Sequence, residues 1–274
     1  MSIPEPYPNL DEILDSIGKA GQRLDEIGAS EGAAGNISVC FGWHINILEK
    51  FPLEEQVNLP VPAPELAGST LLVTGSGCRL RDIRRDPPAN LSALVVNPDG
   101  LTARQFTSPH KLFVNVTSEF NSHLAVHRDQ IQSGGANLHA VIHAQPPYLT
   151  FLSHIPRYQE QAYLNRRLLC WQPETIICLP EGVGILPFMV PGSTELMQAT
   201  VENLRMHRMV VWSKHGVMAR SEISVMHALD RIEYVEAAAR YEYFNLQSGE
   251  AGEGLTVDEI RRICRAFNVQ QTIF

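Results

Sequence analysis

A mixed α/β fold, carried on a single domain spanning residues 1–274, is what the sequence predicts. Three observations lead there. Hydrophobic residues make up 44 % of the chain, ample for a sizeable core. Helix-spaced and strand-like segments interleave along the whole length, in no clean strand-helix-strand rhythm. No internal repeat, low-complexity tract or convincing linker divides the chain.

Residues 10–28 place Leu10, Ile13, Leu14, Ile17, Leu24 and Ile27 at helical spacing, and Gly28 suits the stop. EGAAGNISVCFG, from Glu31, reads as a glycine-rich turn followed by a short strand. Residues 51–68 are Pro-rich and read as a surface excursion. STLLVTGSGCRL, from Ser69, is a strand ending in a glycine turn, and LSALVVNPDGLTARQF is a hairpin around Asn97–Gly100. A helix is expected from near Thr117-Ser118-Glu119 to about Ser133, since Thr and Ser cap well and an acid suits the first turn. Residues 137–145 form a strand, and a helix follows Pro146-Pro147. TIICLP (175–180) reads as a buried strand and GVGILPFMVPGS as a turn-rich passage. Ser193 caps a helix to about His207, RMVVWSKHG is a strand with a turn, and 222–247 is helical. Thr256-Val-Asp-Glu259 is a capping box for the last helix.

The formal charge of −8, with no Lys/Arg cluster, argues against nucleic acid as a partner. No apolar run reaches about 18 residues, so no membrane span is expected. The N-terminal MSIPEPYPNLDE lacks a basic or apolar leader, which points to the cytoplasm. Cys40, Cys78, Cys170, Cys178 and Cys264 form no CxxC and read as reduced thiols.

Alternation along a strand puts His139, His143 and Gln145 on one face. A second strand end delivers His215 in Lys214-His215-Gly216. Neutral imidazole is the usual ligand for zinc and similar ions. Glu119 stands at a helix start, and the glycine turns at Gly32–Asn36 and Thr74–Gly77 can present N–H groups and hydroxyls to a phosphate. Singly, the histidines and glycine turns are more often ordinary structural residues, and Glu119 is as often a plain first-turn acid.

Together, in chain order, they read GNIS, VTGSG, TSE with His123 four residues after the acid, HAQ, EGVGILPFMVPG and KHG. This set resembles the class II aldolase/adducin family over about residues 10–270. The stretches VTGSGCRLRDIRRDPPANL, TSEFNSHLAVH and LPEGVGILPFMVPG carry the resemblance to its sugar-phosphate aldolases. The resemblance implies a three-layer α/β/α sandwich with a central, mostly antiparallel sheet. It also implies a homotetramer with active sites between subunits, and metal-dependent cleavage of a ketose 1-phosphate, as of rhamnulose 1-phosphate, to dihydroxyacetone phosphate and an aldehyde. By position, His143, Gln145 and His215 would hold a divalent metal, zinc being expected. Glu119 would be the acid–base residue, and Glu174 would assist from a neighbouring subunit. Asn36, Ser76, Gly77, Thr117 and Ser118 would seat the phosphate.

Two positions depart from the family pattern. Gln145, whose amide oxygen is a weaker and harder ligand than imidazole, stands where the family has histidine. Ala33 stands where the aldolase has asparagine, removing one phosphate donor. His139 lies about 13 Å along the strand from His143 and cannot replace position 145. Other readings of the same scaffold are a sugar-phosphate epimerase or decarboxylase, and a metal-poor, non-catalytic adducin-like binding protein.

Overall fold

The structure, a computed structural model, describes residues 2–274. One nine-stranded sheet organises it. The strands are β1 (Asn36–Phe41), β2 (Leu53–Asn58), β3 (Thr70–Thr74), β4 (Leu91–Val96), β5 (Thr102–Thr107), β6 (Leu138–Ala144), β7 (Gly184–Leu186), β8 (Met209–Trp212) and β9 (Gly216–Ser221). Their order across the sheet is β2-β5-β4-β3-β1-β6-β9-β8-β7, and every neighbouring pair is antiparallel except β7 with β8.

The helices are α1 (Leu10–Glu26), α2 (Leu80–Ile83), α3 (Pro87–Asn90), α4 (Phe120–Gly134), α5 (Pro147–Leu152), α6 (Gln161–Leu168), α7 (Pro173–Cys178), α8 (Thr194–Met206), α9 (Val225–Gln247) and α10 (Val257–Ala266). The alternation of β6 decides which helices lie on which face. Leu138, Ala140, Ile142 and Ala144 pack with the apolar sides of α1, α5, α6 and α9. Val141 points the other way and packs with Ala125 and Val126 of α4 and Leu196 and Leu204 of α8. The result is a three-layer α/β/α arrangement. Among the described residues no helix is long and apolar enough to cross a membrane, and all five cysteines are free.

Caps define the helix starts as expected. Ser193 accepts from Leu196 N, and Thr256 and Glu259 form a reciprocal capping box. Helix α4 is different: it begins one residue after Glu119, whose side chain makes no capping bond.

The sequence reading had no element for α2, α3, α6 or β9, and three further stretches differ from it. TIICLP is not a strand; Thr175–Cys178 belong to α7, which starts on Pro173 as its first residue. A short apolar run has no period that separates a buried strand from a buried helical turn, and the proline decided it. The Pro-rich excursion contains β2, an edge strand with nearly all its side chains exposed, so it lacks the apolar alternation that marks a strand. The turn-rich Gly182–Ser193 passage contains β7, joined parallel to β8.

Candidate active site

Four strand ends meet at one edge of the sheet. Antiparallel pairing sets Asn36, at the start of β1, opposite His143, near the end of β6. On one side β3 ends beside β1, and on the other β9 begins opposite Ala144. The β8–β9 turn, Ser213–Lys214–His215, brings His215 to the same edge. Lys214 takes φ 64°, and its N–H donates to Ser153 Oγ at 2.7 Å, which ties the turn to the residue after α5. Gly216 is required where it is. A Cβ there would lie 2.3 Å from the Ala144 carbonyl oxygen and 3.1 Å from His143 Cε1.

From the other face, residues 113–119 run along the end of β3. Ser76 N–H donates to Asn115 O at 2.8 Å and Thr117 N–H to Thr74 O at 3.0 Å. A side chain at Gly75 would collide with the Phe113 ring, so the glycine of VTGSG permits this close approach. Phe120 and Leu124 then anchor α4 in the core, which delivers Glu119 over the strand ends. The Pro191-Gly192 turn closes the site from above, with Gly192 O accepting from Asn121 Nδ2 at 2.9 Å.

The cavity so formed is about 210 Å³ and is lined by Ala33–Asn36, Gly75–Gly77, Thr117–Glu119, His143, Gln145, Pro191 and His215. Its floor is buried and its mouth, at Ser76, Gly77 and Ser118, is exposed. Glu119, 5 % exposed, has Oε2 3.4 Å from His143 Nε2 and Oε1 3.6 Å from His215 Nε2. His143 stacks on Trp212, whose indole N–H donates to Thr200 Oγ1 at 2.9 Å. His143 Nδ1–H donates to the Val217 carbonyl oxygen at 2.9 Å, which turns Nε2 toward the carboxylate.

Two imidazole nitrogens and a carboxylate oxygen can face one another this closely only with a proton or a metal cation between them. Glu119 Oε1 is buried without a hydrogen-bond partner. Among the described residues, Glu119, His143 and His215 are the group of three whose ligand atoms converge, all within 4.8 Å of one another. The donor set therefore fits a divalent cation. Burial alone would raise the Glu119 carboxyl, but the imidazoles of His143 and His215 and the Asn36 amide outweigh it and hold it below the usual carboxylate range. Burial, with His143 nearby, lowers His215 to about 4, keeping it neutral as a ligand must be.

A sequence profile described as the Class II Aldolase and Adducin N-terminal domain matches residues 15–243. The chain belongs to the class II aldolase and adducin family. Rhamnulose-1-phosphate aldolase of Bacteroides thetaiotaomicron is 28 % identical over 274 residues, 98 % of each chain. The protein of the same name from Klebsiella pneumoniae is 32 % identical over 214 residues, covering 78 % of this chain and 76 % of that one. The crystal structure of a sugar-phosphate aldolase from Thermotoga maritima superposes with a TM-score of 0.75 at 29 % identity, covering 89 % of this chain and 99 % of that one. Within the class II aldolase family, then, the chain stands with the aldehyde-lyases.

Of the ligand, acid–base and phosphate-seat residues that the family resemblance implied, all but one line the cavity. The exception is Glu174, exposed on α7 and not in this chain's own site. Asn36 lines the cavity, but both ends of its amide are engaged within the class II aldolase fold: Nδ2 donates to Glu119 Oε2 at 2.8 Å, and Oδ1 meets His123 Nε2. His139 faces away into the interior, bonded to His127. The reading from sequence missed Ser38 and His127 entirely. Their signal was present as a polar residue two after Asn36 on a buried strand, and as two histidines four apart on one helix face.

Proposed function

We propose that this class II aldolase-family protein is a divalent-metal-dependent aldolase. It cleaves a ketose 1-phosphate of the rhamnulose 1-phosphate kind to dihydroxyacetone phosphate and an aldehyde. The observation that carries this reading is the buried Glu119 carboxylate set between two imidazole nitrogens at the foot of an open, hydroxyl-rimmed cavity.

His143 and His215 would hold the cation, zinc in the first instance. Gln145, on the same cavity wall, and Glu119, within ligand reach, are the candidates for the third donor. Such an ion supplies Lewis acidity that offsets the negative charge building on the ketose oxygens. The chain's own groups do the rest. Cleavage removes the proton of the hydroxyl that becomes the aldehyde and leaves an electron pair on the adjoining carbon, which must then be protonated. Glu119 starts ionised at neutral pH, takes up the proton released from that hydroxyl and delivers a proton to that carbon. Glu174 serves the site of a neighbouring subunit in a homotetramer, which fits its exposed position outside its own cavity. Ser76, Gly77, Thr117 and Ser118 seat the phosphate at the mouth, next to the N-terminus of α4, where hydroxyl donors and the positive end of the helix dipole favour an anion. A fixed phosphate orients the reacting carbons. Free cysteines fit a cytoplasmic setting.

The test is release of dihydroxyacetone phosphate from a panel of ketose 1-phosphates by metal-loaded and chelator-treated protein. We expect release from at least one of them, abolished by chelation and restored by a divalent ion. Metal-loaded protein that turns over none of the panel would remove the aldolase reading in favour of an epimerase, a decarboxylase or a binding protein.

A further inference from the structure

Beneath the cavity runs a row of buried polar side chains that the proposed reaction does not use. Ser38, His123, His127 and His139 are each 0 % exposed. His123 Nε2 meets Asn36 Oδ1, and its Nδ1 lies 2.6 Å from Ser38 Oγ. Ser38 Oγ lies 2.7 Å from His127 Nε2, and His127 Nδ1 lies 2.8 Å from His139 Nδ1. At the near end Asn36 Nδ2 donates to Glu119 Oε2. The row is thus one unbroken chain from the core to the carboxylate.

Burial, the first cause in each case, keeps the three histidines neutral. His123 is lowered to about 3, and His127 and His139 fall well below the ordinary imidazole value. A neutral imidazole has one donor and one acceptor, so one assignment fixes all the others. The carboxylate can only accept, so Asn36 must turn its NH₂ toward Glu119 and its Oδ1 toward His123. His123 then donates from Nε2 and accepts at Nδ1 from the Ser38 hydroxyl. Ser38 accepts from His127 Nε2–H, and His127 Nδ1 accepts from His139 Nδ1–H. His139 Nε2 ends the chain as a bare lone pair, in keeping with its lack of a hydrogen-bond partner. The reversed order would set Asn36 Oδ1 against the carboxylate and strand a buried N–H on His139, near the cations of Arg220 and Arg231.

We propose that Ser38, His123, His127 and His139 form a one-directional hydrogen-bond chain that fixes the Asn36 amide and, through it, the Glu119 carboxylate. Ser38 and His123 are in this sense positioning residues. Asn36 is the donor that holds Glu119 Oε2, while Oε1 has no partner. If His123 loses its Nε2–H, Asn36 Oδ1 is stranded and the amide is free to turn over. The consequence for turnover rests on the aldolase reading; the hydrogen-bond order does not.

Two measurements test it. The first is ¹⁵N NMR of histidine-labelled full-length protein, which reads each tautomer. The expected result is Nε2–H on His123 and His127 and Nδ1–H on His139; Nε2–H on His139 or Nδ1–H on His123 overturns the order. The second compares His123→Leu with His123→Gln, whose side-chain amide restores a donor at the place of Nε2. We expect His123→Leu to lower kcat by about 30-fold with KM changed less than about threefold, and His123→Gln to recover most of kcat. In crystal structures, Glu119 should leave Asn36 in the Leu variant and keep it in the Gln variant. Equal losses in both variants, or Glu119 unmoved in the Leu variant, overturn the positioning role. If His123→Leu does not fold, Ser38→Ala carries the same test, because it frees His123 to adopt the other tautomer. If the wild type releases no dihydroxyacetone phosphate, the aldolase reading fails, while the tautomers and the crystal structures still decide the chain.

Discussion

At the level of single residues, the proposed reaction places its acid–base role on Glu119, whose surroundings work against its burial. The neighbouring imidazoles and the Asn36 amide keep it ionised and able to accept a proton at neutral pH. Glu119→Gln preserves shape and removes the titrating group. We expect turnover to fall roughly 100-fold or more with the unfolding midpoint little changed; near-normal turnover would take Glu119 out of that role. At the cavity mouth, Ser76→Ala is expected to weaken binding of a phosphorylated substrate by about 1–3 kcal/mol. Equal weakening of a dephosphorylated analogue would mean the phosphate sits elsewhere. Glu119, His143 and His215 stand at a helix start or strand end, where side chains reach an open edge, but it was the family resemblance of their motifs that singled them out in the sequence. The partners of Asn36 within the protein were not legible, since they depend on the register that pairs Asn36 with His143 and on the face α4 turns to β1.

At the scale of elements, the site depends on close backbone approaches that two glycines permit. Gly216 lets β9 pass against Ala144 while His143 and Gln145 keep their places. Gly216→Ala should push those side chains apart and weaken metal binding by about 10-fold or more, as when supporting residues of a metal site are altered. Unchanged affinity in that variant would show that the β6–β9 contact does not set the ligand geometry. The periodic helices α1, α4, α8 and α9 and the apolar strands were readable from spacing and caps. The segment 175–180 was not, because its apolar run is too short to have a period, and β2 was not, because an exposed edge strand carries no apolar alternation.

At the scale of the whole molecule, three layers enclose a polar row that the sequence showed only as scattered histidines. That row makes the fold sensitive to acid. The folded pKa of His123, His127 and His139 lies below that of the unfolded chain, so their contribution to stability is complete above about pH 6.5 and is lost as pH falls toward the folded values. Each histidine that stays neutral in the fold costs ~1.4 kcal/mol per pH unit below that point. Urea unfolding of wild type between pH 6.5 and 5 should therefore show a steep loss of stability, and His139→Phe should make the slope shallower by about one such increment. A slope unchanged by that substitution would mean that His139 is protonated in the fold.

The central claim is that His143 and His215 hold a divalent cation beside Glu119, and calorimetric metal titration of chelator-treated protein tests it most directly. The expected result is about one ion per chain, weakened roughly 100-fold or more in His215→Ala and tightened in Gln145→His, where a third imidazole replaces a weak amide ligand. An absence of binding in both wild type and Gln145→His, or binding that survives His215→Ala unchanged, would contradict it.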